Sequence, residues 1–453
     1  MTARLSDPEI DRLVAVLNEQ RGGGAAAAAA GAEESPFEPA AEEEDGAGWE
    51  AAATDASIAP PRRPPHRAAI PAATPPPFAL AAVDPALGRV PAEGRLGRLL
   101  ARLAEVGATD LLLVPGQPPV VRRSGRLERT DGEPLADDGV GPLFAPHLGD
   151  RARRQLGEHG AADFSLRLAG DAAGRFRVNL HRQGGKLAAA VRALPREVPS
   201  LAELHLPASL AELVRPARGL VLLAGPTGAG KSTTIAALVG EIVRTRAVHV
   251  ITIEEPVEYE HRSRQAVVEQ VEVGRDAPSF AAALRAALRQ DPDVIVLGEM
   301  RDLDTMAIAL TAAETGHLVL SSLHANDVVQ AVHRVVDVFP PAQQAQVRHQ
   351  LSLALSAIVA QQLVPVGGGV SRLPAVEVLV ATPAVRHLLR GGELAKLYNE
   401  LTLGKRHGMV SLEESLARLV AEGLLEPEEA RLRATRPDEL ASLLTGSPVG
   451  TGR

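Results

Sequence analysis

Nine residues, Gly225-Pro226-Thr227-Gly228-Ala229-Gly230-Lys231-Ser232-Thr233, restrict this chain more than any other stretch. They follow an apolar run from Gly219 to Ala224 and lead into Thr234 to Val239, which continues as a helix. A buried strand, a glycine-rich turn and a helix start form the context in which G-x-x-x-x-G-K-[ST] cradles a polyphosphate. Gly225, Gly228 and Gly230 let the backbone take positive φ and bring its N–H groups close to a polyphosphate, and Thr227 is counted with them among the loop's nucleotide-binding residues. The helix starting near Lys231 adds unpaired N–H groups and a partial positive charge at the same place. Lys231 is expected to reach the β- and γ-phosphates, with Ser232 ligating Mg²⁺ and Thr233 completing the first turn. Such a loop belongs to a nucleoside triphosphate site at the C-terminal ends of parallel strands.

The rest of the composition narrows the partners. Among 453 residues the formal net charge is -8, which disfavours a general nucleic-acid surface. The absence of cysteine excludes disulfides and any Cys-ligated zinc site. No run of 18 apolar residues occurs and the N-terminus lacks a signal peptide's apolar core, so neither a membrane span nor secretion is expected.

Four segments follow from pattern. Residues 1–20 hold a short amphipathic helix, with Ser6 and Glu9 as a capping box and Ile10, Leu13, Val14 and Leu17 on one face. Residues 21–92 combine glycine, alanine, acidic and proline-rich runs. With 13 of the 35 prolines in residues 1–92, this stretch reads as a disordered tether. Residues 93–199 show a helix face (Leu96, Leu99, Leu100, Leu103) and then short alternating strands, a small mixed α/β domain. Its Arg122, Arg123, Arg126 and Arg129 read as a solvated sheet face, because no aromatic residue is interleaved to stack a base. From residue 200 to 453 strands alternate with long helices around the phosphate loop, the pattern of a mainly parallel sheet. After about Gln350 the chain is expected to be mostly helical, including Leu351 to Gln362.

Three strands are expected to end in chemistry. Asp293 to Leu297 is a buried strand followed by Gly298 and Glu299, so its acid stands one position later than in most phosphate-loop proteins. Glu299 is expected to act on Mg²⁺ through water or to hold the attacking water. Ile251-Thr252-Ile253 runs into Glu254, Glu255, Pro256 and Glu258, acids expected to lie in a loop and to orient or deprotonate water. The third strand, Leu318 to Leu323, ends at His324.

In their order and spacing these motifs resemble the type II/IV secretion ATPase superfamily, and within it the PilT-like pilus retraction ATPases. The family's aspartate box is matched by Thr252-Ile253-Glu254-Glu255-Pro256-Val257-Glu258, its Walker B segment by Gly298-Glu299-Met300-Arg301-Asp302, and its histidine box by Gly316 through His324. The resemblance spans roughly Gly94 to Leu432. It implies a RecA-like ATPase domain after a PAS-like small domain, ATP with Mg²⁺ as cofactors, and a homo-hexamer. It implies Glu258 as catalytic glutamate, Glu299 as Walker B glutamate, His324 as the histidine-box residue, and Arg177 and Arg192 reaching the nucleotide from the small domain. It further implies a cytoplasmic protein peripheral at the inner membrane, on the platform protein of a pilus or secretion machine, with no specific nucleic acid. Glu255 replaces the usual aspartate, and Leu112 stands where relatives often carry histidine.

The direction of such a motor is read from Thr382-Pro383-Ala384-Val385-Arg386-His387-Leu388-Leu389-Arg390-Gly391. Capped by Thr382, it should form a helix with Val385, Leu388 and Leu389 on one face. It resembles the family's retraction-associated segment, with His387 and Gly391 as departures. An assembly or export ATPase is the alternative; those relatives usually carry a tetracysteine zinc element, and this chain has no cysteine. A slow nucleotide-binding regulator is a second alternative.

Overall fold

The computed structural model describes residues 88–446 except 124, 171–173 and 367–370. The expected helix in residues 1–20 and the tether up to residue 87 lie outside the described residues. Residues 88–92 do not belong with that tether: Arg89–Val90 pairs in parallel with a strand of the small domain and buries Val90.

The first sheet is built from β1 (Arg89–Val90), β2 (Asp110–Leu113), β3 (Val120–Arg123), β4 (Arg126–Arg129), β5 (Ala161–Leu168), β6 (Arg175–Gln183) and β7 (Lys186–Leu194), in the order β1-β5-β6-β7-β2-β3-β4. Only β1 and β5 pair in parallel. Helix α1 (Arg95–Glu105) lays Leu96, Leu100 and Leu103 against this sheet, where Leu111, Val178 and Leu180 share the same core. The i, i+4, i+7 spacing makes that face apolar. A second helix, α2 (Asp150–His159), contributes Ala152 and Leu156.

The second sheet holds β8 (Gly219–Ala224), β9 (His249–Glu254), β10 (Val267–Glu272), β11 (Val294–Leu297), β12 (Leu318–Leu323), β13 (Leu355–Val366) and β14 (Ser371–Val380). Its order is β10-β9-β11-β12-β8-β13-β14, parallel throughout except for the β13–β14 pair. Every residue of β8, β11 and β12 is buried, because both faces are covered. Alternate β8 residues serve the two sides. Leu220, Leu222 and Ala224 join a core with α4 (Phe280–Ala287), α5 (Leu303–Thr315), α6 (Val328–Asp337) and α7 (Pro341–Ala354). Val221 and Leu223 face Leu238, Val239 and Ile242 of α3 (Lys231–Thr245).

The segment Leu351 to Gln362 corrects the helical expectation. Helix α7 stops at Ala354, and the chain from Leu355 onward is strand, pairing in parallel with β8 and then as a hairpin with β14. A short apolar run such as Leu355 to Ala360 has no periodicity that separates buried strand from buried helix. The unpaired edge of β8 settles it, since backbone groups buried there need ladder partners. The C-terminal part is therefore a strand hairpin with helices on it: α8 (Pro383–Gly391), α9 (Leu397–Leu403), α10 (Leu412–Ala421), α11 (Pro427–Arg433) and α12 (Pro437–Thr445). In α8, Thr382 accepts from the Val385 N–H at 3.3 Å, and Val385 and Leu389 are fully buried. Arg386 reaches back to the Leu353 carbonyl at 2.7 Å, satisfying an acceptor at the end of α7.

Glu377 of β14 is buried, and its carboxylate accepts from the Val328 N–H at the start of α6 at 3.0 Å. Burial raises its pKa from 4.5 to about 7, reinforced by Asp327 and Glu413 and opposed by the Val328 bond and Arg436. Because the folded pKa lies above the unfolded one, its contribution to stability is full below pH 4.5 and lost as pH rises through about 7. Glu377→Gln should remove that loss. In urea melts its stability relative to wild type should rise from pH 4.5 to 8 by on the order of 3 kcal/mol. A difference that stays constant over that range would assign the titration to another group.

Candidate active site

The phosphate loop leaves β8 at Gly225 and enters α3 at Lys231. Gly228 and Gly230 adopt φ of 79° and 85°, a region that side chains with a Cβ rarely visit. Pro226, Thr227 and Gly228 are exposed at the tip, and Ser232 is exposed in the first turn of α3. Lys231 is buried, and its ammonium donates to the carbonyls of Gly225 at 2.8 Å and Pro226 at 3.0 Å. Burial pulls its pKa down while Glu299 pushes it up. A buried ammonium held by carbonyls of its own loop is a cation ready for an anionic ligand.

Glu299, just past β11, is that cation's counter-charge, and it also pairs with Arg301 at 2.7 Å. Ser322 of β12 donates to the Gly298 carbonyl at 2.7 Å, and the Met300 N–H donates to the Ser322 carbonyl at 3.1 Å. The turn carrying Glu299 is thus pinned to the neighbouring strand. His324 places Nε2 4.0 Å from the Glu299 carboxylate. Burial and the nearby Lys231 lower the pKa of His324, and Glu299 opposes that shift. Two of the strand-end residues read from sequence, Glu299 and His324, lie together here.

The acids after β9 divide by environment. Glu254 is the last residue of that strand, not a loop residue, and it accepts from Thr252 Oγ1 at 2.7 Å and Gln270 Nε2 at 3.3 Å. Burial raises its pKa, against the bonds from Thr252, Glu258 and Gln270. The Glu258 N–H points to the same carboxylate at 3.4 Å, so Glu254 holds the loop that carries Glu258. Tyr259 ties that loop to the phosphate-loop helix through Thr233, hydroxyl to hydroxyl at 3.0 Å. Glu255 is exposed and faces Arg151 of the small domain at 4.0 Å.

A cleft of about 580 Å³ opens between the two sheets, lined among others by Arg151, Arg175, Arg177, Glu255, Glu299 and Arg301. Arg177 therefore lines the same cavity as Glu299. Arg192 lies beside it on β7 but pairs with Asp110 at 2.8 Å and is not among the cleft residues. Motif reading missed Arg151, Arg167 and Arg175, isolated arginines in a sequence rich in them. Arg175 donates to the Val257 carbonyl and Arg167 pairs with Glu260, clamping the acid loop from the small domain. A Cβ on Gly274 would lie 1.2 Å from Arg151 Nη1, so that glycine makes room for the same docking.

This geometry agrees with what the chain resembles. A family model described as "Type II/IV secretion system protein" matches residues 188–379. The "Type IV pilus retractation ATPase PilT" of Pseudomonas aeruginosa is 42% identical over 341 residues, covering 75% of this chain and 98% of the relative. The chain belongs to the type II/IV secretion ATPase family. Within that family it is PilT-like, and it is an ATPase. A "Twitching motility protein" of Neisseria gonorrhoeae is 40% identical, covering 71% of this chain and 86% of its own length. A solved structure, "Crystal Structure of the Pilus Retraction Motor PilT and Bound ADP", superposes with a TM-score of 0.70 at 42% identity, over 76% of this chain and 98% of that one.

The clamp from the small domain carries a prediction. Arg175→Ala removes the donor to the carbonyl next to Glu258, which should lower kcat about tenfold, equivalent to about 1.4 kcal/mol. Affinity for ADP should change less than about twofold, measured by calorimetry beside steady-state ATPase assays. Equal losses in both would mean that Arg175 holds nucleotide rather than the loop.

Proposed function

We propose that this chain is a hexameric motor that hydrolyses ATP to power retraction of a type IV pilus. The observation that carries the reading is 42% identity to a pilus retraction ATPase over nearly that protein's whole length. The strand-end acids converging on the phosphate loop supply the chemistry. Among the described residues no helix is long and apolar enough to cross a membrane. In this reading the protein works from the cytoplasmic side, against an inner-membrane platform protein.

Gly225, Thr227, Gly228 and Gly230 shape a loop whose N–H groups bind the phosphates, and Thr233 joins them from the first turn of α3. Lys231 turns from the Gly225 and Pro226 carbonyls to the phosphate oxygens. Among the described residues no cluster of three acids or histidines could hold a metal by itself. Mg²⁺ keeps several waters and takes most of its remaining ligands from substrate phosphates. The exposed Ser232 hydroxyl would hold it directly and Glu299 through water, and the ion would neutralise charge on the triphosphate. Glu258, on a loop fixed from three sides, takes the proton of the attacking water. His324, 4.0 Å from Glu299 at the end of β12, takes the histidine-box position on the nucleotide side of the sheet. Arg177 lines the cleft of its own chain and Arg192 is held by Asp110 outside it; in this reading both release these positions in the ring to supply positive charge to a neighbouring subunit's nucleotide, which makes ring assembly a condition for turnover.

Two measurements test this reading. Glu258→Gln keeps size and removes the base, so ATP binding should persist while hydrolysis falls by roughly 10²-fold or more. Near wild-type turnover would move the role to another acid. Cells lacking the protein should carry excess surface pili and fail to pull. Bald cells would identify an assembly motor instead.

A further inference from the structure

Strand β13 runs on past the end of β8. Ala360 pairs with Ala224, the last residue of β8, which brings Gln361 alongside the first residue of the phosphate loop. The Gln361 side chain is 3% exposed, and both ends of its amide are engaged. Nε2 donates to the Ala229 carbonyl at 2.6 Å, and Oε1 accepts from Thr234 Oγ1 at 2.8 Å. A carbonyl can only accept, so the amide orientation is dictated by its partners. The contact extends to the glycines. A Cβ on Gly225 would lie 2.4 Å from the backbone carbonyl oxygen of Gln361, and one on Gly230 would lie 2.8 Å from the side-chain Nε2.

We propose that Gln361 is a positioning residue for the nucleotide site, holding the phosphate loop in the shape that receives ATP. The peptide joining Ala229 to Gly230 is planar and trans, so its N–H lies opposite its C=O. With the Ala229 oxygen held against β13 by Gln361, the Gly230 N–H faces away from that strand. Such an N–H is what a phosphate loop presents to its ligand. Thr234 anchors the other end of the amide to α3, so loop and helix start move as one body with β13. No other side chain of the described residues joins the loop to β13 in this way, and glutamine alone supplies donor and acceptor at this length without charge.

The inference rests on ATP binding at this loop, and its test separates the two. In the purified full chain, Gln361→Met keeps length and packing but removes both bonds. Kd for ADP and KM for ATP should each rise about tenfold. Thr234→Val should raise both by a smaller factor, and the double variant should be no worse than Gln361→Met, since the Thr234 bond is already lost in Gln361→Met. Gln361→Glu adds a signature that packing alone would not produce. Its carboxylate would face the Ala229 carbonyl, so ADP affinity should be poor at pH 8 and recover as pH falls and the carboxyl becomes a donor. This profile stands even if the Met variant does not fold. Wild-type Kd and KM in Gln361→Met with only a lower melting temperature, or a flat pH profile in Gln361→Glu, would overturn the positioning role. Undiminished ADP binding in Lys231→Ala would instead overturn the site itself, whatever Gln361 does.

Discussion

The close approach of β13 to the phosphate loop is the contact on which the rest of the structure depends. It explains why Gly225 and Gly230 carry no side chains, since a Cβ at either would meet Gln361. It also joins the nucleotide site to the C-terminal helices. Val364 of β13 packs with Leu416, Leu419 and Ala430, and the Gln362 side chain donates to the Arg433 carbonyl at 3.3 Å. Any displacement of the phosphate loop would therefore be felt by the strand that carries this helical layer. In a densely packed core such a displacement is relieved by movement of whole elements rather than by local compression.

The second dependence is electrostatic. Glu254, Glu272 and Glu299 lie near one another in a region that also has to accept a polyphosphate, and each is held by different partners. Glu254 is braced by hydroxyl, amide and backbone donors. Glu272 accepts from the Val257 N–H at 3.3 Å and stands 4.0 Å from Arg275. Glu299 has Arg301 and Lys231 as its cations. Arginines from the small domain offset the remaining negative charge along the cleft. Arg175 is largely buried, so its guanidinium pays a desolvation penalty that Glu260 and Glu272 oppose. The acid loop is thus set by contacts from both sheets, and its position depends on how the small domain sits.

Most of the site was legible because its parts are local. The phosphate loop, the strand running into Glu254 to Glu258 and the turn at Glu299 are each coded within ten residues or fewer, where glycine, proline and apolar runs dictate backbone shape. The helix from Pro383 was legible for the same reason, through Thr382 and the spacing of Val385 and Leu389. Gln361, Arg175 and Arg151 were not, since each acts on a partner distant in sequence. Gln361 in particular stood within a run that periodicity could not separate from helix.

By itself, then, the sequence determined a phosphate-loop motif at the end of a buried strand and acids at the ends of two others. Those properties follow from short-range sterics and the alternation of apolar residues. The tertiary structure decided which strand lies beside the loop, turning Leu355–Val366 from an ambiguous apolar run into sheet through the hydrogen bonds that β8 had left to make. It also decided that Arg177 shares a cleft with Glu299 while Arg192, its neighbour across the ladder, is drawn to Asp110. Ionic partners of that kind are set by the distances between folded elements, and no local pattern encodes those distances.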